Sequence, residues 1–347
     1  MIKSSKRFGL LFAGIFSIMM TFAQQEVKFV KSDREQKVNV MIGGKLFTSY
    51  LYTNTIDKPV LYPLQTASGV TVTRGFPLNP RANERTDHPH HIGMWFNYGD
   101  INGLDFWNNS YAIKPEDKPK YGSILHQKIV KAEGGKNKGT LAVEANWVDN
   151  KGTILLKELT TFVFSGDATS RIVERTTTLT AQDKKVTMTD NKEGVLGIRV
   201  TRELEIPSDK PEIFTDANGI PTKVAALNNE GVTGTFLTSE GKTGNDVWGT
   251  RGKWCMMYGR KDGQPISITI IDHPSNPGYP TYWHARGYGL FAANTLGQEV
   301  LSGGKEKLNF SLDPGKSVSF KYRVMISNGT MPTAEKLNQA AVAFSKL

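Results

Sequence analysis

Five of the six histidines of this 347-residue chain fall in three short motifs, Asp87-His88-Pro89-His90-His91, Asp272-His273-Pro274 and Trp283-His284-Ala285-Arg286. Imidazole titrates nearest neutral pH and is the commonest metal ligand, so histidines grouped with carboxylates and an arginine point to proton transfer or metal binding in a reactive pocket. The sixth, His126, stands outside the motifs. Pro89 removes a backbone donor and places the first cluster on an edge or loop, where side chains can converge on a ligand. In an extended backbone His88 and His90 would share a face and His91 would point to the other. The cluster leads into Gly93-Met94-Trp95-Phe96 and then Asp100-Ile101-Asn102-Gly103-Leu104-Asp105-Phe106-Trp107.

Between the other two motifs, Pro274, Pro277, Gly278 and Pro280 hold a loop in few conformations, so its side chains are presented at little entropic cost. Tyr282, Trp283 and Tyr288 offer an apolar wall for the C–H face of a sugar ring, whose hydroxyls seek charged donors and acceptors. A weaker signal is Lys192-Glu193-Gly194-Val195-Leu196-Gly197-Ile198-Arg199, where Glu193 is a candidate general base. The resulting assignment takes one of His88, His90 or His284 as acid, Glu193 or Asp272 as base, Arg286 as an oxygen anchor and Trp283 as a stacking platform. His91, His273, Tyr288, Asp105 and Trp107 add substrate contacts.

Spacing argues against the standard metal patterns. Ile92, Gly93, Met94 and Trp95 follow the His-x-His pair where a cupin would carry a glutamate, and neither His-x-Asp nor His-x-Glu occurs. His-Glu-x-x-His, Gly-x-Ser-x-Gly and the phosphate-binding loop are absent too. Cys255 alone can form no internal disulfide and no thiolate zinc site. No cofactor is expected; a divalent metal on His88, His90 and a distant histidine is the alternative.

The elements that must position these residues read as strands. Val38–Ile42, Leu46–Tyr52, Leu141–Val148, Ile154–Phe164, Arg171–Leu179, Ile266–Ile271, Lys307–Leu312 and Val318–Ile326 are rich in β-branched and aromatic residues and are bounded by turn signals. The last two alternate polar with apolar around Asp313-Pro314-Gly315, which predicts a hairpin. Pro332 and Thr333 open a C-terminal helix with Leu337, Ala340, Ala341 and Phe344 on one face. No repeat or linker divides residues 24–347, and the pattern predicts an all-β fold, a large antiparallel β-sandwich in one domain.

Residues 1–23 read as a secretory signal peptide: Lys3, Lys6 and Arg7 precede an apolar run from Phe8 to Phe22, with cleavage expected after Ala23. Its removal would lower the formal charge from +10 to +7, the remainder being lysine scattered through turns, which is a solvated basic surface and not a nucleic-acid groove. No other stretch could cross a membrane as a helix.

The chain resembles a bacterial secreted family of unknown function often labelled PmoA-like or methane oxygenase. The matching pieces are Asp87-His88-Pro89-His90-His91 with Gly93 and Trp95, Asn102 to Trp107, Asp272-His273-Pro274, and Trp283 to Leu290 with Ala293-Asn294. The sequence departs from that pattern at Gly287, where an aspartate is expected, and at Asn294-Thr295-Leu296-Gly297, where Asn-Pro-Phe-Gly is expected. The oxygenase label reads as a misnomer, because the methane enzyme subunit is a bundle of transmembrane helices and the mature chain has none. The resemblance implies a setting among sugar-degrading and sugar-oxidising enzymes. The architecture is similar to the galactose mutarotase supersandwich, in which a histidine acid and a carboxylate base act at the anomeric carbon. The expectation is an exported, periplasmic or extracellular carbohydrate-active protein, an enzyme of hydrolase, lyase or epimerase type working on a glycoside or oxidised sugar. Its ligand would be a small molecule or oligosaccharide. The alternatives are a non-catalytic sugar-binding module and a copper or other metal redox protein.

Overall fold

Alternating burial along the strands builds two eight-stranded antiparallel sheets that face each other. The computed structural model describes residues 24–216, 220–224 and 228–347, so the expected leader lies outside the described residues. The first sheet runs, edge to edge, Val27–Ser32, Lys37–Ile42, Lys45–Leu51, Val60–Leu61, Met94–Tyr98, Gly194–Arg199, Leu290–Asn294 and Tyr282–Arg286. The second runs Thr235–Thr238, Trp254–Lys261, Gln264–Asp272, Ser317–Asn328, Ser170–Ala181, Ile154–Gly166, Lys138–Val148 and Ser123–Glu133. One hydrophobic cluster fills the space between them, with Val40, Phe47, Phe96 and Leu196 of the first sheet meeting Leu141, Phe162, Val173 and Ile268 of the second. The chain is thus an all-β antiparallel sandwich with, among the described residues, one α-helix, at its C-terminal end.

The two sheets differ in what covers their outer faces. Ser170–Ala181 buries every second residue, as a strand with one solvated face does. Met94–Tyr98, Gly194–Arg199 and Leu290–Asn294 are buried at every position. Something must therefore cover the outer face of the first sheet at its centre, and the loops carrying the histidine cluster and Trp107 do so. Trp95, Ile92, Trp107, Leu290 and Ala292 form a separate apolar cluster there.

Register assigns side chains to the two faces. Trp95 pairs with Gly197, Gly197 with Ala292 and Ala292 with His284, which makes one cross-strand row on the outer face. Arg199, Leu290 and Arg286 form the next row on that face. Phe96, Leu196, Ala293 and Trp283 form the row on the other side of the Gly197 row and point into the core. Gly197 is required where it stands: a Cβ there would lie 2.5 Å from Trp95 Cζ2 and 3.0 Å from Trp107 Cη2.

The predicted hairpin does not form. Phe310–Leu312 pairs with Val186–Met188, whereas Ser317–Asn328 lies between Gln264–Asp272 and Ser170–Ala181. Alternation identifies a half-buried strand but not its partner. The Asp313-Pro314-Gly315 turn instead docks on the second sheet, with Gly315 N donating to Ala181 O. Elsewhere the expected strands are present, most of them longer by one to three residues at an end.

The helix spans Ala334–Phe344, and the Thr333 side chain caps it by accepting from Lys336 N. Leu337 and Phe344 pack with Trp254, Met256 and Ile271 on the outer face of the second sheet. Trp254 Nε1 donates to Asn338 Oδ1 at 2.8 Å. Leu337→Ala should cost about 2–4 kcal/mol, since a fully buried leucine leaves a cavity that the sheet cannot collapse to fill. A chemical-denaturation midpoint unchanged within error would mean that the helix is not docked.

Candidate functional site

The histidine cluster is a turn and not a strand. His91 N donates to His88 O at 3.0 Å and His88 has φ 45°, so the expected alternation fails and His88, His90 and His91 all reach the same side. Their rings continue a stack, Tyr288 on His88 (5.2 Å, 2°), His88 on His91 (4.8 Å, 4°) and His91 on Trp95 (5.0 Å, 16°), with His90 set edgewise against His91. Trp107 lies edgewise against both His91 and Trp95.

Two buried arginines fix this turn. Arg74 donates from Nη1 to the carbonyls of Arg85 and Asp87 and from Nη2 to those of His88 and His91. Asp87 Oδ1 accepts from Arg74 Nη1 at 2.8 Å and from Arg199 Nη2 at 2.5 Å, while Oδ2 lies 2.7 Å from His88 Nδ1. Burial opposes ionisation of Asp87, but Arg199, the His88 hydrogen bond and Arg74 hold its carboxyl well below the usual carboxylate range. It is a permanent anion behind His88, and it accepts a hydrogen bond from Nδ1–H of the neutral ring, which leaves the lone pair on Nε2. Arg199 Nη1 donates to His91 Nδ1 at 3.1 Å, so a neutral His91 carries its proton on Nε2.

On the opposite wall, His284 Nδ1 donates to Lys192 O at 2.9 Å, and Glu193 Oε2 stands 3.8 Å from the same nitrogen. Lys192 Nζ forms an ion pair with Glu193 Oε1. Burial first, then Lys192 and Arg286, push His284 down to about 3. Burial and the nearby Lys58 push His90 down to about 2, and burial with His90 and Arg199 takes His91 well below its ordinary value. These three rings are neutral at physiological pH and serve as hydrogen-bonding groups, not imidazolium acids. Arg286 is exposed, its guanidinium 5.4 Å from the Trp248 ring and 5.9 Å from that of Tyr288.

Together these groups enclose a cavity of about 460 Å³, lined by His88, His90, His91, Asn108, Lys192, Glu193, Trp248, His284, Arg286 and Tyr288. It adjoins a wider lobe of about 670 Å³ that shares His88, Trp248, Arg286 and Tyr288 and is bounded further by Arg85, Glu212 and residues 206–210. Both volumes fall within the ordinary range of small-molecule sites.

Of the residues expected from sequence, His88, His90, His91, Glu193, His284, Arg286 and Tyr288 meet here. Trp107 is fully buried behind the cavity wall, edgewise against His91 and Trp95, and does not line the cavity. Asp105 accepts from the Trp107 and Asn108 amides and from Asn108 Nδ2, which positions the loop that presents Asn108. Three expectations are corrected. Trp283 belongs to the core row, because a strand alternates and His284 takes the outer face. Asp272 ends a strand of the other sheet, where it accepts from Asn276 Nδ2 and Thr281 N and closes the proline loop; burial pushes it up to about 7. His273 bonds Ser275 and rests edgewise on Phe344 of the C-terminal helix.

Sequence reasoning passed over Asp87, Arg74, Arg199, Lys192, Asn108, Trp248 and Lys58 as site residues. Asp87 was legible inside its own motif, and Arg199 at the end of the Glu193 strand. Nothing local marks Trp248 or Lys58, whose buried Nζ donates to His90 O at 2.9 Å. His126 bonds Tyr50 and packs on Tyr52, away from the cavity. Among the described residues no three or more His, Cys, Asp and Glu are arranged to hold a metal ion. None of the described helices is long and apolar enough to cross a membrane.

Two facing antiparallel sheets with a loop-roofed cavity on the outer face of one define a β-sandwich protein with a candidate ligand site. Residues 37–342 match the model of a family of unknown function, DUF6807, and the chain belongs to that family. No curated protein matches it in sequence. Similar solved structures include a Synechocystis sp. PCC 6803 protein (TM-score 0.34, 12% identity, 91% of this chain and 100% of that one). A galactose mutarotase-like protein from Clostridium acetobutylicum gives a TM-score of 0.36 at 11% identity, with 88% and 99% of the chains covered. A putative aldose 1-epimerase from Escherichia coli K12 gives 0.26 at 11%, with 87% and 98% covered. Likeness at this level carries no argument about substrate or reaction, which rest on the cavity itself.

Proposed function

We propose that this protein is a carbohydrate-active enzyme that transfers protons at a sugar oxygen, with His88 and Glu193 as the exchanging groups. The observation that carries the reading is the convergence of Asp87–His88, Glu193, His284, Arg286 and Tyr288, drawn from distant parts of the chain, onto one cavity. Asp87 holds His88 in one orientation, as a buried carboxylate does for an acid–base histidine. Glu193 is the carboxylate on the facing wall. Trp248 and Tyr288 supply rings for the C–H face of a sugar, Arg286 supplies donors for its oxygens, and neutral His284, whose Nδ1 proton goes to Lys192 O, offers Nε2 as an acceptor for its hydroxyls. The adjoining lobe gives room for a second sugar unit, so a glycoside fits as well as a free sugar. The reading includes residues 1–23 as an export leader, a periplasmic or extracellular site of action, and kinship with the PmoA-like proteins.

The test is product formation from a panel of glycosides and free sugars followed by proton NMR. Glu193→Gln and His88→Ala should each lower turnover by about 10² to 10⁴ with an unchanged unfolding midpoint, the usual contribution of a positioned acid or base. Full activity in either variant would remove that residue from the mechanism. The neutrality of His90, His91 and His284 also suits a sugar-binding module without turnover. Sugar binding unaltered between pH 5 and 8 with no product would establish that reading instead.

A further inference from the structure

We infer that the sugar accepted by this cavity carries a carboxylate, as a hexuronate does, and that Arg286 receives it. The inference rests on the reading of the cavity as a sugar site.

Arg286 lies on the outer face of its strand, in the row shared with Leu290 and Arg199. Its guanidinium is held against Trp248 and Tyr288, and among the described residues no carboxylate lies within ion-pair distance of it. A guanidinium packed on rings keeps the N–H edges of its planar fork available, and two parallel N–H groups match the two oxygens of a carboxylate.

The surroundings have too few anions. Arg74 and Arg199 share the single carboxylate of Asp87, and Lys192 takes Glu193. Lys58 is buried with a carbonyl as its hydrogen-bond partner, and among the described residues no carboxylate lies within ion-pair distance of it, Asp57 and Asp105 acting from further off. Among the charged side chains that line the cavity itself, Lys192 and Arg286 face the single carboxylate of Glu193, which Lys192 already holds. The neutral state of His90, His91 and His284 records the same field, because cations add to burial in disfavouring a further positive charge.

The cavity walls also hold unpartnered donors. Among the described residues, His91 Nε2, which carries the ring proton, and Trp248 Nε1 are buried without an acceptor, and both side chains line the cavity; His90 Nε2 is also unpartnered. A buried donor without an acceptor is costly, so a site with several of them favours a ligand rich in acceptor oxygen.

Isothermal titration of the full chain with D-galacturonate, digalacturonate, D-glucuronate, D-galactose, D-glucose, galactose 6-sulfate and propionate tests this. A uronate should bind at least tenfold more tightly than its neutral parent. The advantage should shrink with added salt, vanish in Arg286→Gln and be cut back but not abolished in Arg286→Lys, which keeps the charge without the fork, with all three proteins unfolding at the same temperature. Equal binding of galactose and galacturonate, a preference for the sulfate, or a uronate preference retained in Arg286→Gln would overturn the carboxylate site while leaving a sugar site. Propionate binding as tightly as galacturonate would overturn the sugar reading. No binding by any of the seven would overturn both.

Discussion

Asp87→Ala should remove about 3–5 kcal/mol of folding stability, the cost of leaving buried charges without their partner. The carboxylate serves three groups at once, Arg74, Arg199 and His88. The two guanidiniums are 1% and 0% exposed, so water cannot replace the lost oxygen. Burial and the neighbouring Arg199 already push Arg74 down to about 9, which measures how poorly this pair tolerates a missing anion. Arg74 also ties together four carbonyls of the Arg85–His91 loop, so the loss should spread to the whole histidine turn. Asp87→Asn keeps an acceptor oxygen but no charge and should fall between. Urea unfolding with an unchanged m-value would read the difference directly. A loss below about 1 kcal/mol in Asp87→Ala would mean that this network does not organise the site.

The second large effect is on acid stability. His284 is held at about 3 and His90 at about 2 in the folded protein, against about 6.5 in an unfolded chain. The folded state therefore prefers the neutral rings. Their contribution is complete above pH about 6.5 and is lost as pH falls through the window toward 3. For His284 the full loss is about 5 kcal/mol, from roughly 1.4 kcal/mol per pH unit. Asp272 acts in the opposite sense: pushed up to about 7, it favours the folded state below pH about 4 and loses that contribution as pH rises through 7. Two buried histidines and His91 outweigh one carboxylate, so stability should fall on acidification. Gln at position 284 keeps a donor for Lys192 O and cannot titrate. His284→Gln should flatten the fall between pH 6.5 and 4, and Asp272→Asn should steepen it. Parallel stability curves for wild type and His284→Gln would show that this ring does not govern the acid limb.

The sandwich and its helix were legible because their signals are local. Ser170–Ala181 shows its solvated face in its own alternation, and Thr333 with Leu337 and Phe344 marks the helix start and its buried stripe. The pairing of Phe310–Leu312 was not legible, since polar–apolar alternation fits any partner strand of suitable face. The site divided along the same line. Glu193, His284 and Arg286 were recovered as residue types in suggestive company, whereas Trp283 and His284 were both assigned to one wall although adjacent strand residues must face opposite ways.

From sequence alone came the strand content, the edge or loop at Pro89, the rigid proline loop and the residue types able to move protons. Each follows from periods of two or 3.6 and from the covalent geometry of proline, which act within a few residues. Tertiary structure decided that His88, His90 and His91 share one side, that Asp272 and His273 belong to the opposite sheet, and that Asp87 stands behind His88. It also decided that three of the histidines are neutral. Their protonation depends on burial and on Lys58, Lys192, Arg199 and Arg286, cations brought in by segments far apart in the chain, and long-range electrostatics of that kind exists only once the sheets have packed.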